Sequence, residues 1–199
     1  MQETILLLQD NASNAANVRE LLAQSSGGSF VVEWLRSCAA GLERLNDRKK
    51  DGIAAILIHL LLPDGQQLEI FDRIFEAAPH TPILVLSSPE HEGIAEQAVQ
   101  RGAQDYILND QLDGRSLSKA LRNMLERTAN AEALFVEKER AQVTLNSIGD
   151  AVISTDVAGN VTYLNQVAEQ MTGWLSAEAL GRSFGEVFRI VDNSSNLSV

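Results

Sequence analysis

Residues 53–65 read IAAILIHLLLPDG, and this stretch decides the fold. Ile53 to Ile58 is an unbroken apolar run without polar alternation, the pattern of a parallel strand buried on both faces. His59 stands where the run ends, and Pro63-Asp64-Gly65 then turns the chain toward a helix. In an open α/β sheet, sites form in the crevice beyond the carboxyl ends of the strands. His59 is therefore expected in that crevice.

Working back toward the N-terminus, Thr4 to Leu8 reads as a first buried strand with Gln9-Asp10-Asn11 at its carboxyl end. Asn14 to Gln24 places Val18, Leu21 and Leu22 at helical spacing, and Ser25-Ser26-Gly27-Gly28 breaks the pattern. Phe30 to Trp34 is a more mixed strand, as suits a position near a sheet edge, and Ser37 to Leu45 is a helix. Working forward, a helix from about Gly65 to Ala77 packs Leu68, Phe71, Ile74 and Phe75. Pro79 and Pro82 bracket a fourth strand, Ile83 to Leu86, which ends in Ser87-Ser88-Pro89. A helix over Ile94 to Arg101 stops at Gly102. Asp105 to Leu108 is a short fifth strand followed by Asn109-Asp110, and another helix starts near Ser116. Five βα units within about 125 residues predict an α/β fold with a doubly wound, five-stranded parallel sheet.

The chain has 199 residues, 45% of them hydrophobic, enough for one large domain or two small ones with a real core. A formal net charge of -11 argues against a nucleic-acid partner, since phosphate backbones are bound by positive charge. The basic run Arg48-Lys49-Lys50 reads as a solvated loop between helix and strand. Cys38 is the one cysteine, which leaves no disulfide framework and no cysteine metal site. No stretch approaches the roughly 18 apolar residues of a membrane span, and the first strand opens almost at Met1. No signal peptide or membrane segment is expected, and a cytoplasmic location is the default reading.

Five strand-end positions converge: Gln9, Asp10, His59, Ser87 and Asn109. With the stretches ILLLQD, AAGLERL, LLLPDG, PILVLSS and GAQDYILND, residues 3 to about 125 resemble the receiver domain of bacterial two-component response regulators. The resemblance implies the sheet order 2-1-3-4-5. It also implies phosphoryl transfer from a histidine kinase to an aspartate, supported by an acidic pair that holds Mg²⁺, a hydroxyl and a lysine. Placed on this chain, the acidic pair becomes Gln9 and Asp10, and the acceptor aspartate becomes His59. The hydroxyl is Ser87, and the lysine becomes Asn109. Three of the five positions have lost that chemistry, so residues 1–125 read as a pseudo-receiver. Tyr106 and Ser87 match the pair that couples phosphorylation to the face built from the fourth helix onward, and here they are expected to pack in one state. His59 itself has three readings: a histidine hydrogen-bonded to Asp10 or Ser87, a phosphoryl acceptor through its imidazole, or a metal ligand with Asp10 and His91. The first is the ordinary one, and no metal or other cofactor is expected.

From Ser116 to about Asn146 the sequence is helical without a break. Met124, Ala131, Leu134, Ala141, Leu145 and Ile148 fall close to an alternating three-four spacing, which Arg127 and Lys138 interrupt. A helix of 30 residues runs about 45 Å, more than a compact monomer can cover. Residues 116–146 are therefore expected to pair as a coiled coil in a homodimer, with a single exposed linker helix as the alternative. Beyond it, Ala151 to Thr155 and Val161 to Leu164 form a hairpin around Asp156 to Asn160, and Asn165 opens a short helix through Met171. DAVISTD, GNVTYLN and AEQMTGW, followed by ALGRSFGEVF, resemble the start of a PAS domain. Residues 147–199 then form a partial α+β PAS segment that ends in the polar stretch Asp192 to Val199. The resemblance to this arrangement implies a downstream module that makes or degrades cyclic di-GMP.

The residues hold no nucleophile-base-orienter set, no Gly-rich phosphate loop and no nucleotide fingerprint, so the chain is not read as an enzyme. The leading expectation is a non-catalytic, dimeric signalling module whose pseudo-receiver docks a histidine kinase or another signalling protein. The alternative is a receiver that still accepts phosphate and controls a diguanylate cyclase or phosphodiesterase.

Overall fold

The computed structural model describes residues 3–25, 30–47, 52–147 and 149–188. The break at Ser26 to Gly28, the basic run Arg48 to Lys50, Ile148 and the stretch Asp192 to Val199 lie outside them. The chain divides into two compact units, Met1–Asn130 and Ala131–Val199.

In the first unit, β1 (Glu3–Leu8), β2 (Phe30–Leu35), β3 (Ile53–His59), β4 (Ile83–Ser87) and β5 (Asp105–Leu108) form one parallel sheet in the order β2-β1-β3-β4-β5. The apolar run of β3 lies at the centre, and the mixed run of β2 lies at an edge. Alternate side chains of each strand enter opposite layers, because successive strand residues point to opposite faces. Leu6, Leu8, Ile56, Ile58, Ile83 and Val85 pack on one side with Ile70, Phe71 and Ile74 of α3 (Gln67–Ala77) and Ala95 and Ala98 of α4 (Glu92–Gln100). Cys38 of α2 (Cys38–Asn46) joins that layer, fully buried. Ile5, Leu7, Ala55, Leu57, Leu84 and Leu86 face the other way, onto Ala15, Val18 and Leu22 of α1 (Ala12–Ser25). Leu117, Leu121 and Met124 of α5 (Gly114–Ser147) complete this second layer. Burying a Leu, Ile or Phe side chain contributes about 1.5–3 kcal/mol, so two full layers hold the sheet without help from the residues at its rim.

Local chemistry moves several helix ends from their sequence-based positions. α5 begins two residues before Ser116, where the Asp113 carboxylate accepts from the backbone N–H of Arg115 and Ser116 at 2.8 and 2.9 Å. α3 starts at Gln67 rather than Gly65, and α4 at Glu92 rather than Ile94, directly after a 3₁₀ turn over Pro89–His91. At the end of α4, Gly102 has φ 121°, and a Cβ there would stand 2.9 Å from the Phe75 ring. That left-handed conformation and that close approach both call for glycine.

In the second unit, β6 (Ile153–Thr155) and β7 (Val161–Leu164) pair antiparallel, and α6 (Gln166–Thr172), α7 (Ser176–Ala179) and α8 (Phe184–Val187) follow. The turn between the strands is built by Asp156, whose carboxylate accepts from the backbone N–H of Ala158 and Asn160 at 2.9 and 2.8 Å, while Gly159 takes φ 82°. Gly181 and Arg182 run beside β7, where Gly181 N–H donates to the Val161 carbonyl and Val161 N–H donates to that of Arg182, both at 2.8 Å. Among the described residues its core is Val161, Leu164, Ala168, Ala179 and Val187, with Ile153 and Trp174 against them.

Candidate functional site

The sheet order brings the carboxyl ends of β1, β3 and β4 side by side. Leu8 pairs in register with Ile58, His59 with Leu86, and Ser87 with Leu108. Gln9, His59 and Ser87 therefore share one rim, and all three are buried. Asp10 follows Gln9 and is half-buried, whereas Asn109 is exposed and opens a 3₁₀ turn over Asn109–Gln111. His59 is the last residue of β3 itself.

His59 departs from its ordinary reading. The residue is 7% exposed, yet Nδ1 has no hydrogen-bond partner. The expected bond to Asp10 or Ser87 is absent at Nδ1, and the Ser87 hydroxyl donates to its neighbour's carbonyl, Ser88 O, at 3.3 Å. Burial pushes the imidazole below the usual histidine range. The negative charge of Asp10 pulls the other way, and His91 adds a smaller downward push. Those influences place Asp10 and His91 in the electrostatic surroundings of His59. His91 is engaged elsewhere, with Nδ1 2.9 Å from Ser88 Oγ. Among the described residues no group of three or more His, Cys, Asp or Glu side chains is placed to hold a metal, so Asp10, His59 and His91 do not assemble as a ligand set.

The side-chain oxygen donors that the rim offers a cation are few. A hard ion takes oxygen ligands, and Asp10 is the one carboxylate among the five positions. Gln9 Oε1 is occupied by the Asn11 N–H at 3.1 Å, and His59 offers nitrogen. At the far side of the sheet, Tyr106 is half-buried and its hydroxyl donates to Glu92 Oε1 on α4 at 2.9 Å. That bond, followed by burial, raises the phenol above its usual range. Tyr106 is thus tied to α4, while the Ser87 hydroxyl is tied to the adjacent Ser88 carbonyl.

Three residues that the sequence reading did not single out for the site hold its framework. Trp34 Nε1 donates to the Gln9 carbonyl at 2.7 Å, and Arg36 Nη2 donates to the Asp10 carbonyl at 3.1 Å. The Arg36 guanidinium also lies 5.9 Å from the centroid of the Trp34 ring. Asp64, in the turn after β3, accepts from Cys38 N–H at 2.9 Å through Oδ1 and from Ala39 N–H at 2.8 Å through Oδ2. It thereby stitches the turn to the first N–H groups of α2, which no intrahelical acceptor can reach. Burial works upward on Asp64, but the N–H groups of Ala39 and Cys38 outweigh it and hold the carboxyl below the usual carboxylate range. No spacing rule marks these three residues, because each acts on a segment about 25 positions away.

In the second unit, the expected Asn165 start of a helix is present: its Oδ1 accepts from Ala168 N–H at 2.9 Å. No helix of the described residues is long and apolar enough to cross a membrane.

Comparison with known proteins agrees with this architecture. The response regulator receiver domain model matches residues 5–122, and the PAS fold model matches residues 139–198. The chain is 43% identical over 81 residues to the probable diguanylate cyclase DgcE of Escherichia coli, which covers 41% of this chain and 7% of that protein. It is 38% identical over 56 residues to the cyclic di-GMP phosphodiesterase PdeB of Shewanella oneidensis, covering 28% of this chain and 6% of the relative. The chain thus spans only a small part of either relative's length. Among solved structures, a response regulator receiver domain protein from Clostridium thermocellum superposes with a TM-score of 0.57 at 21% identity, over 65% of this chain and 98% of that one. That likeness is one of fold. The receiver match extends over more than half of the sequence, and the chain belongs to the response regulator receiver domain family, with a PAS fold following the receiver.

Proposed function

We propose that the chain is a non-catalytic signal-transduction module. Residues 1–125 serve as a pseudo-receiver that docks a signalling partner. The helix across 116–146 pairs with that of a second copy and couples the receiver to a partial PAS domain over 147–199. The observation that carries this reading is His59, which stands at the acceptor position as a buried, neutral-leaning imidazole with an unpartnered Nδ1. Aspartyl phosphorylation needs a carboxylate nucleophile, a bound divalent cation and a positive group to offset charge on the transferred phosphoryl. The three corresponding positions hold His59, the lone carboxylate Asp10 beside Gln9, and neutral Asn109. The two relatives named above, a cyclase and a phosphodiesterase of cyclic di-GMP signalling, support such an enzyme as the regulated output.

Intact-protein mass spectrometry after incubation with acetyl phosphate and Mg²⁺, beside a competent receiver as control, tests the central claim. The expected result is no mass gain, with His59→Asp regaining little labelling because Gln9 and Asn109 remain. A gain of one phosphoryl group on the unaltered chain would overturn the reading. Pairing through the helix is supported by Leu134 and Phe135, which are 68% and 63% exposed. Light scattering of Leu134→Asp should report a monomer where the parent chain is a dimer, and an unchanged dimer mass would sink that part of the proposal.

A further inference from the structure

Asn165 is 1% exposed, and its side chain makes four hydrogen bonds to the backbone. A carboxamide can donate two hydrogen bonds and accept two. Here Nδ2 donates to the Leu145 carbonyl at 2.8 Å and to the Asp150 carbonyl at 3.0 Å. Oδ1 accepts from the Val152 N–H and the Ala168 N–H, both at 2.9 Å. Its backbone N–H donates to the Val152 carbonyl at 3.0 Å. One side chain thus joins four backbone points: the end of α5, two points on the segment that leads into β6, and the first turn of α6.

The two halves of the amide do different work. Oδ1 caps α6, an ordinary task for an asparagine that precedes a helix. Nδ2 has a less ordinary one. The last four carbonyls of an α-helix have no intrahelical donor, and the Leu145 carbonyl belongs to that set because α5 ends at Ser147. Asn165 supplies a donor from a residue 20 positions further along the chain. The exit of α5 is thereby fixed to the same atom group that fixes Asp150 and faces α6.

We propose that Asn165 is the positioning residue that locks the end of α5 to the PAS segment, with its Nδ2 half as the lock and its Oδ1 half as a separable helix cap. The lock makes the α5 terminus, the 150–152 segment and the α6 start move as one body. A twist or shift of α5 at Leu145 is passed to β6 and α6 rather than absorbed in the connector. This deepens the coupling role given to α5 above, and it holds whether or not the helix pairs with a second copy.

Asn165→Asp separates the two halves. It keeps an acceptor for Ala168 and Val152 but turns a carboxylate oxygen toward two carbonyl oxygens. Asn165→Ala removes both halves. Insertion of one glycine after Ser147 keeps Asn165 intact and displaces the carbonyls it holds. Amide hydrogen exchange of the full 199-residue chain, read by peptide mass, should show at least a tenfold faster exchange over 142–152 in Asn165→Asp and in the insertion variant. Protection of α6 should be retained in both, whereas Asn165→Ala should lose it. The proposal is overturned if exchange over 142–152 stays within about twofold of the parent in both of the first two variants. It is equally overturned if α6 loses protection together with the connector in both, since the residue would then support the whole unit rather than the junction. Dimer mass is read separately by light scattering, so a failure of helix pairing and a failure of the lock remain distinguishable.

Discussion

The two units of this protein are held by different forces. The receiver unit sandwiches its sheet between two apolar layers, and its largest buried side chains, Phe71 among them, are almost wholly removed from water. Among its described residues, the PAS unit gathers five small or medium side chains in its core and leaves Met171, Leu175 and Leu180 half exposed or more. Directional polar bonds supply much of its order. Asn165 joins four backbone points, and the Asp156 carboxylate accepts three hydrogen bonds within its own turn. The difference teaches where substitution is tolerated. A fold held by burial in its layers can exchange the residues at its rim, which is how Gln9, His59 and Asn109 coexist with an intact receiver sheet. A unit held by a few polar atoms has less freedom, because an unpaired buried donor or acceptor costs about 1–3 kcal/mol.

The strongest way to break the comparison is to open a cavity in the receiver core. Phe71→Ala should destabilise the receiver by about 3–5 kcal/mol, seen as a lower urea midpoint for that unit with the PAS transition unmoved. A loss below about 1 kcal/mol would mean that the layer collapses around the hole and that burial is less decisive than argued. Next in size is the polar stitch within the receiver itself. Asp64→Ala removes the acceptor for the first N–H groups of α2 and should cost about 1 kcal/mol, in the range of a lost helix cap. Ser37, whose hydroxyl accepts from Ala40 N–H at 3.2 Å, still caps the helix. A cost as large as that of Phe71→Ala would show the receiver to depend on polar bonds as the PAS unit does.

The smallest expected effect sharpens the reading of His59. Its folded pKa is lowered by burial, against the opposing charge of Asp10. The unfolded chain then binds a proton more readily than the folded one below the ordinary histidine value of about 6.5. Stability from this group is complete above that value and is lost as pH falls through it. Between about pH 7.5 and about pH 6.0 the receiver should lose at most about 0.8 kcal/mol. Denaturant midpoints at the two pH values, for the parent and for His59→Gln, measure it. A parent midpoint that rises on acidification would show that His59 gains a proton-dependent partner in the folded state.

Much of the architecture was legible in the residues. The apolar run at Ile53 marked the central strand, and the mixed run at Phe30 marked an edge. Strand limits from the pattern fall within a residue or two of the observed ones, because burial on two faces or one leaves a local signature. The chemical identities at the five rim positions were equally open to reading. What was not legible is how those positions are held. The bonds from Trp34 to Gln9, from Arg36 to Asp10 and from Cys38 to Asp64 join residues 25 or 26 positions apart, and no short-range pattern encodes them. The missing partner of His59 Nδ1 was hidden for the same reason: it depends on which groups the packed fold brings within reach of the ring.

The sequence by itself thus determined the strand and helix pattern, the apolar layers and which residues stand at the strand ends, since these follow from residue type and period. The tertiary structure alone decided which atoms meet: an imidazole nitrogen left without a partner, a carboxylate spanning from the β3 turn to α2, and an amide that closes the end of α5. Hydrogen bonds are set by distances of tenths of an ångström between segments far apart in the chain, and only the packed fold fixes those distances.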